Sequence, residues 1–159
     1  MTGQVLSEQA IGTEAFVALL RAHAGVTRDL SAQLTVEHDL TLSDFEVLLR
    51  LSRSPDRRMR RVDLADQVFL SASGVTRLLD GLERQGLVTR GACDSDRRVV
   101  YAVLTDEGLE RVHAAAESHF AQIDAIFGTR FDEEELAALA GLLNRLGTSE
   151  TVDCAPGSG

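Results

Sequence analysis

The chain predicts a mainly α-helical fold with a small β-hairpin wing, a winged helix-turn-helix flanked by long N- and C-terminal helices. Three observations carry this reading. Between residues 64 and 108 a short helical segment, a tight turn, a second helix and an arginine-tipped hairpin follow one another. On both sides of that block the apolar residues recur at helical spacing. Residues typical of strands are confined to two short runs, 87–90 and 99–104.

Taken in order, the first ten or so residues lack a pattern and are expected to be loose. From Thr13 to about Glu37, Phe16, Leu19, Leu20, Val26, Leu30 and Leu34 form the stripe of a long amphipathic helix. A second helix is expected from Ser43, with Ser43 and Glu46 as a capping box and Leu42 and Val47 as its staple, ending before Pro55. The linker SPDRRMRR is basic, and Val62 to Val68 forms the first helix of the turn motif. The second, about Ser71 to Gln85, turns Val75, Leu78, Leu79 and Leu82 to one side and Ser73, Thr76, Arg77 and Arg84 to the other. Gly86 stands where a left-handed C-cap is needed. The strands Leu87 to Arg90 and Val99 to Leu104 enclose the turn-rich GACDSDRR. Thr105 caps a long helix striped by Leu109, Val112, Ala116, Phe120, Ile123 and Phe127. Asp132 with Glu135 caps the last one, striped by Leu136, Leu139, Leu143 and Leu146. The expected division is an N-terminal dimerisation helix over 1–40, a DNA-reading lobe over 41–105, dimerisation helices over 106–147 and a disordered tail over 148–159. The terminal stripes have little to pack against within one chain, and a two-fold partner would cover them.

The net charge of −9 argues against a nucleic-acid partner until its distribution is read. Residues 50 to 98 hold eleven of the sixteen arginines against seven carboxylates, a local balance of +4, while the rest of the chain stands at −13. A basic segment in an acidic body orients a protein on DNA. There is no lysine, so every basic side chain can make a bidentate contact. No signal-peptide pattern and no membrane-length apolar run are present, so a soluble cytoplasmic protein without membrane contact is expected. Cys93 and Cys154 are too far apart in the chain for metal-ligand spacing and imply no disulfide framework. No phosphate-binding glycine loop, nucleophile elbow or metalloprotease signature occurs, so neither enzyme activity nor a cofactor is expected.

A helix with one oily face and one face of short polar groups and arginine, set behind a tight turn, fits a DNA major groove. Ser71, Ser73, Thr76 and Arg77 sit at its entry end, where side chains meet base edges, and Arg84 further along contacts phosphate or pairs with Asp80. The hairpin brings Arg97 and Arg98 to the backbone or minor groove. Arg57, Arg58, Arg60 and Arg61 are either backbone clamps or a solvated basic loop.

The segments LxxxGLVTR (Leu82 to Arg90), DSDRR (Asp94 to Arg98) and LTDEG (Leu104 to Gly108), in that order, resemble the MarR family of bacterial transcriptional regulators. The likeness is close over Thr41 to Gly108 and extends to the flanking helices by layout. It implies a homodimer whose lobes are joined by helices from both termini. It also implies repression of transcription, relieved when a small ligand binds between the lobes. Asp96 and Arg98 match the family's Asp-x-Arg wing signature, in which the carboxylate orders the hairpin and extends the arginine. The ligand pocket is expected between the first, second and fifth helices and the lobe, lined by Arg21, His23, Phe45 and His113, and suited to an aromatic or phenolic carboxylate. His23 and His113 fall on apolar stripes, and His38 and His119 are expected at the surface. Two other readings stay open. One is a metal or redox sensor of the same fold, using His113 with Glu117 or using Cys93. The other is a winged-helix module that docks protein instead of DNA.

Overall fold

The computed structural model describes residues 2–68, 71–92 and 98–146. It divides into two compact units, residues 1–123 and 124–159, with the boundary inside the fifth helix.

The first unit opens with α1, Thr2–His38. The expectation of a loose first ten residues is corrected: no proline interrupts the segment, and its glycines at 3 and 12 lower helix stability without stopping the backbone ladder. The helix changes character along its length. Leu30 and Leu34 are buried, whereas Phe16 is 59% and Leu20 51% exposed. Asp39, in the left-handed region at φ 54°, ends it.

α2, Leu42–Arg53, starts ahead of the expected box. Thr41 is the N-cap: its Oγ1 accepts the Asp44 N–H at 3.1 Å, and Asp44 Oδ2 accepts the Thr41 N–H at 3.0 Å. Ser43 already lies inside the helix, and Glu46 instead pairs with Arg50 at 2.9 Å. After a 3-10 turn at Pro55–Arg57, a short strand, β1, runs over Arg58–Arg60. By sequence this stretch reads as a linker, because three residues alternating charge with Met59 carry little strand signal. Pairing makes it a strand: β1 lies antiparallel to β3, Val100–Leu104, with Met59 opposite Ala102. β2, Val88–Ala92, pairs with the other edge of β3, giving the order β1-β3-β2.

α3, Arg61–Gln67, and α4, Ala72–Arg84, form the helix-turn-helix. The Ser71 Oγ caps α4 by accepting the Gly74 N–H at 3.1 Å, and Gly86 takes the left-handed conformation at φ 74° expected of it. α4 buries Val75, Leu79 and Leu82. These pack with Phe45, Val47, Leu48 and Leu51 of α2, Leu64 of α3, Leu87, Ala102 and Leu104 of the hairpin, and Leu34 of α1 into one core. α5, Asp106–Gly128, adds Val112 and Ala115 to it.

The buried stripe of α5 runs through Gly108, Val112, Ala115 and His119, which corrects two histidine placements. His113 is exposed, and His119 is only 4% exposed, its ring 4.6 Å from that of Phe45. Phe120, expected in the stripe, is 42% exposed. The cause is register. Small residues, Gly108 and Ala115, mark the side of α5 that approaches the lobe most closely, while the larger apolar residues that define a periodicity count sit beside it. His38 is likewise mostly enclosed, with Nε2 2.7 Å from the Ser118 Oγ.

In the second unit, the Asp132–Glu135 capping box opens α6, Glu133–Asn144, as expected. Leu142, Leu143 and Leu146 are exposed. The tail assigned to 148–159 lies outside the described residues.

Gly108 has a steric reason. A Cβ there would sit 2.1 Å from the Leu87 carbonyl oxygen and 2.7 Å from Leu104 Cδ1. Gly108→Ala should therefore destabilise the fold by about 1–3 kcal/mol, as overpacking does, read as a lower denaturation midpoint in urea. Burial pushes the His119 pKa below its ordinary 6.5, and among the described residues its Nδ1 finds no partner. As the pH falls through 6.5 the unfolded chain takes up this proton first, so the neutral ring's contribution is present above that pH and is lost below it. Urea titrations carried from about pH 7.5 down to about pH 5 should show wild type losing more stability than His119→Leu.

Candidate nucleic-acid interface

α4 is the candidate interface helix, its two faces chemically opposite. With Val75, Leu79 and Leu82 held in the core, Ser73 and Arg77 are exposed on the outer side. Thr76, partly buried, donates its Oγ1 hydrogen to the Ala72 carbonyl at 2.8 Å. Ser71 is held in place by its cap, with its Oγ also 3.2 Å from that of Ser73. Arg77 and Arg84 are exposed and make no ion pair among the described residues. The expected alternative of Arg84 pairing with Asp80 gives way to another partner, Arg90 of β2. Its Nη2 donates to Asp80, and its Nε donates to Glu83 at 2.8 Å. One guanidinium thus spans two carboxylates of the recognition helix from the neighbouring strand. Ion pairs this exposed contribute little stability. Their effect is on geometry and charge: they tie α4 to the wing strand and offset two negative groups on the helix.

The basic loop is more committed than its sequence suggested. Arg57 pairs with Asp106 at 2.8 Å, and Arg58 lies over the Tyr101 ring 5.1 Å from its centroid. Arg60 grips Asp63 with two hydrogen bonds, 2.6 and 2.9 Å, and that carboxylate raises its pKa further. Arg61, at the start of α3, lines a crevice with Thr76, Asp80 and Arg90 between the recognition helix and the sheet. In the wing, Arg98 is exposed just before β3, whereas Cys93, Asp96 and Arg97 lie outside the described residues.

The residues expected to line a ligand pocket are not gathered in one enclosed space. Phe45 is in the core, while Arg21, His23 and His113 are exposed. Glu117 is exposed as well, and among the described residues no three His, Cys, Asp or Glu side chains are grouped to hold a metal. No helix among them is long and apolar enough to cross a membrane. Two features are absent from the sequence expectations. One is the Arg90 bridge, whose partners lie seven and ten residues away across a turn. The other is a polar seam between α1 and α5, where the Gln33 Nε2 donates to Glu37 at 2.6 Å and to Ser118 at 2.9 Å. Gln33 stands on the same buried side of α1 as Leu30 and Leu34, a polar position in an apolar stripe that could have signalled it.

Comparison with known proteins decides the family. A MarR family sequence model matches residues 38–99, from the end of α1 to the wing. The crystal structure of AbsC, a MarR family transcriptional regulator from Streptomyces coelicolor, superimposes with a TM-score of 0.71 at 35% identity, covering 82% of this chain and 90% of that one. The chain belongs to the MarR family. It is a transcriptional regulator with a winged-helix fold, not an enzyme. Sco3205, a second MarR regulator from Streptomyces coelicolor, was solved in complex with DNA; it matches with a TM-score of 0.81 at 26% identity, over 87% of this chain and 86% of that one. The transcriptional repressor YetL of Bacillus subtilis (strain 168) is 33% identical over 110 residues, 67% of this chain and 66% of that protein.

Within this MarR regulator the Arg90 bridge yields a direct test. Arg90→Met keeps the aliphatic stem and removes both ion pairs. Its thermal midpoint should stay within a few degrees of wild type, since surface pairs contribute only about 0–1 kcal/mol. DNA affinity should fall by more than that stability change, because two carboxylates on α4 are then uncovered. Unchanged DNA affinity in a fluorescence-anisotropy titration would count against the bridge.

Proposed function

We propose that this protein is a homodimeric repressor that binds a pseudo-palindromic DNA operator through its two winged lobes and is released by a small organic acid. The observation that carries the DNA reading is α4, with Ser73 and Arg77 exposed on a helix whose opposite face is locked into the core. Arg77 contacts a base or its neighbouring phosphate, Arg84 contacts phosphate, and Arg98, with Asp96 and Arg97, forms the wing contact. The DNA complex of Sco3205 and the repressor role of YetL support the same assignment. The protein works in the cytoplasm, on the DNA there.

Dimerisation is favoured by the apolar side chains left exposed towards the chain ends: Ile11, Phe16 and Leu20 on α1, Leu142 and Leu143 on α6, and Leu146 beyond it. An obligate interface of this kind buries upward of about 2,000 Å². Two lobes carried by one dimer read half-sites about one helical turn apart, so a ligand that changes their spacing weakens binding.

The test is an operator titration at several salt concentrations. Two chains should bind each operator. Arg77→Ala should cost about 1–3 kcal/mol and relax preference at particular base positions. Arg98→Ala should weaken related sites alike and reduce the salt dependence by about one charge. One chain per operator, or wild-type affinity in both variants, overturns the reading.

A further inference from the structure

We propose that Gly81 sets how closely DNA approaches the recognition helix: its missing side chain lets one sugar-phosphate strand of the operator lie in van der Waals contact with α4, between Arg77 and Arg84.

The glycine has a cost and no return inside the chain. Gly81 lies in the interior of α4, and glycine is the weakest helix former after proline. Other glycines of the lobe have an internal reason. Gly86 takes a positive φ, a Cβ at Gly91 would press on Val103 Cγ2 at 3.0 Å, and one at Gly108 would strike the Leu87 carbonyl. At Gly81 the φ angle is not positive, and a Cβ would meet only the Arg84 Nη2, 3.9 Å away at the end of a flexible side chain. That is ordinary contact distance. Alanine would fit and would strengthen the helix, so among the described residues nothing calls for glycine.

The position on the helix supplies a reason outside the chain. Successive residues of an α-helix turn by about 100°. With Val75, Leu79 and Leu82 facing the core, Ser73, Arg77 and Arg84 point directly away from it. Asp80 and Glu83 then fall on one flank of that outer face and Gly81 on the other. Arg90 of β2 closes the first flank by bridging Asp80 and Glu83, whereas the second stands open at Gly81. Arg77 and Arg84, exposed and without an ion pair among the described residues, frame the gap with two positive charges. A DNA major groove is about 12 Å wide, and a helix with its side chains is about 10–12 Å across. So tight a fit seats the helix deeply only where a flank is trimmed. A side chain at position 81 would hold the strand off and draw Arg77 and Arg84 back with it.

This inference rests on α4 as the DNA-reading helix, and its test sets stability against affinity. The probe is a duplex selected from random-sequence DNA by the full-length wild-type protein. Gly81→Ala should raise the thermal midpoint by about 2–4 °C, yet weaken binding to the duplex by about 5-fold or more. Gly81→Leu should weaken it further. A purely structural role would move both readouts in the same direction. Each substitution is repeated beside Arg84→Ala, where its affinity penalty should persist. A penalty that vanishes there means that the glycine only makes room for Arg84, and the inference is overturned. Unchanged or tighter binding by both Gly81 variants overturns it too, as does a lowered thermal midpoint in Gly81→Ala. Wild-type affinity in Arg77→Ala would remove α4 from the DNA and overturn the operator reading as well. An Arg77→Ala defect beside no Gly81 effect overturns only the role of Gly81.

Discussion

The lobe depends on a close approach at Gly108. Thr105 Oγ1 accepts the Gly108 N–H at 3.0 Å and donates towards the carbonyls of Gly86 and Leu87, 2.7 and 3.1 Å away, while the Thr105 N–H donates to the Leu87 carbonyl at 3.1 Å. The end of the recognition helix, the start of β2 and the first turn of α5 therefore meet at one junction. Two glycines make that possible for different reasons: Gly86 supplies a left-handed turn, and Gly108 leaves the space that a Cβ would take from the Leu87 carbonyl. With the junction closed, α4 has one orientation relative to the wing, and everything that α4 presents outward follows from it.

Electrostatics refine that surface. The +4 balance of residues 50–98 reads as a broadly basic face, yet folding distributes those charges unevenly. Arg50, Arg57, Arg60 and Arg90 each meet a carboxylate, and in doing so hold α2, the strap before β1, the start of α3 and the wing strand. Arg53, Arg77 and Arg84 make no such pair among the described residues. A residue count cannot separate these groups, because an arginine that braces the fold and one that meets a phosphate have the same side chain.

Much of the architecture is legible from local chemistry. Helix spacing, the Thr105 and Asp132 caps, the Gly86 turn and the order of segments around GLVTR, DSDRR and LTDEG all act over a few residues, so they can be read without knowing what packs on what. The α2 cap shows the limit. Two overlapping patterns, Thr41–Asp44 and Ser43–Glu46, are both acceptable locally, and the turn at Asp39 decides between them by setting where the helix begins.

Local sequence pattern was enough for the fold class and for the helix that faces outward with Ser73 and Arg77, and it showed a family resemblance that comparison with known proteins then decided. Tertiary structure alone decided which face of α5 is buried, and so that His119 packs on Phe45 while His113 meets solvent. It alone turned Arg58–Arg60 into a strand and joined Arg90 to Asp80 and Glu83. The difference is one of range. Periodicity, capping and turn chemistry are set by neighbours in the chain, whereas burial, strand pairing and ion-pair choice depend on which distant surfaces arrive together.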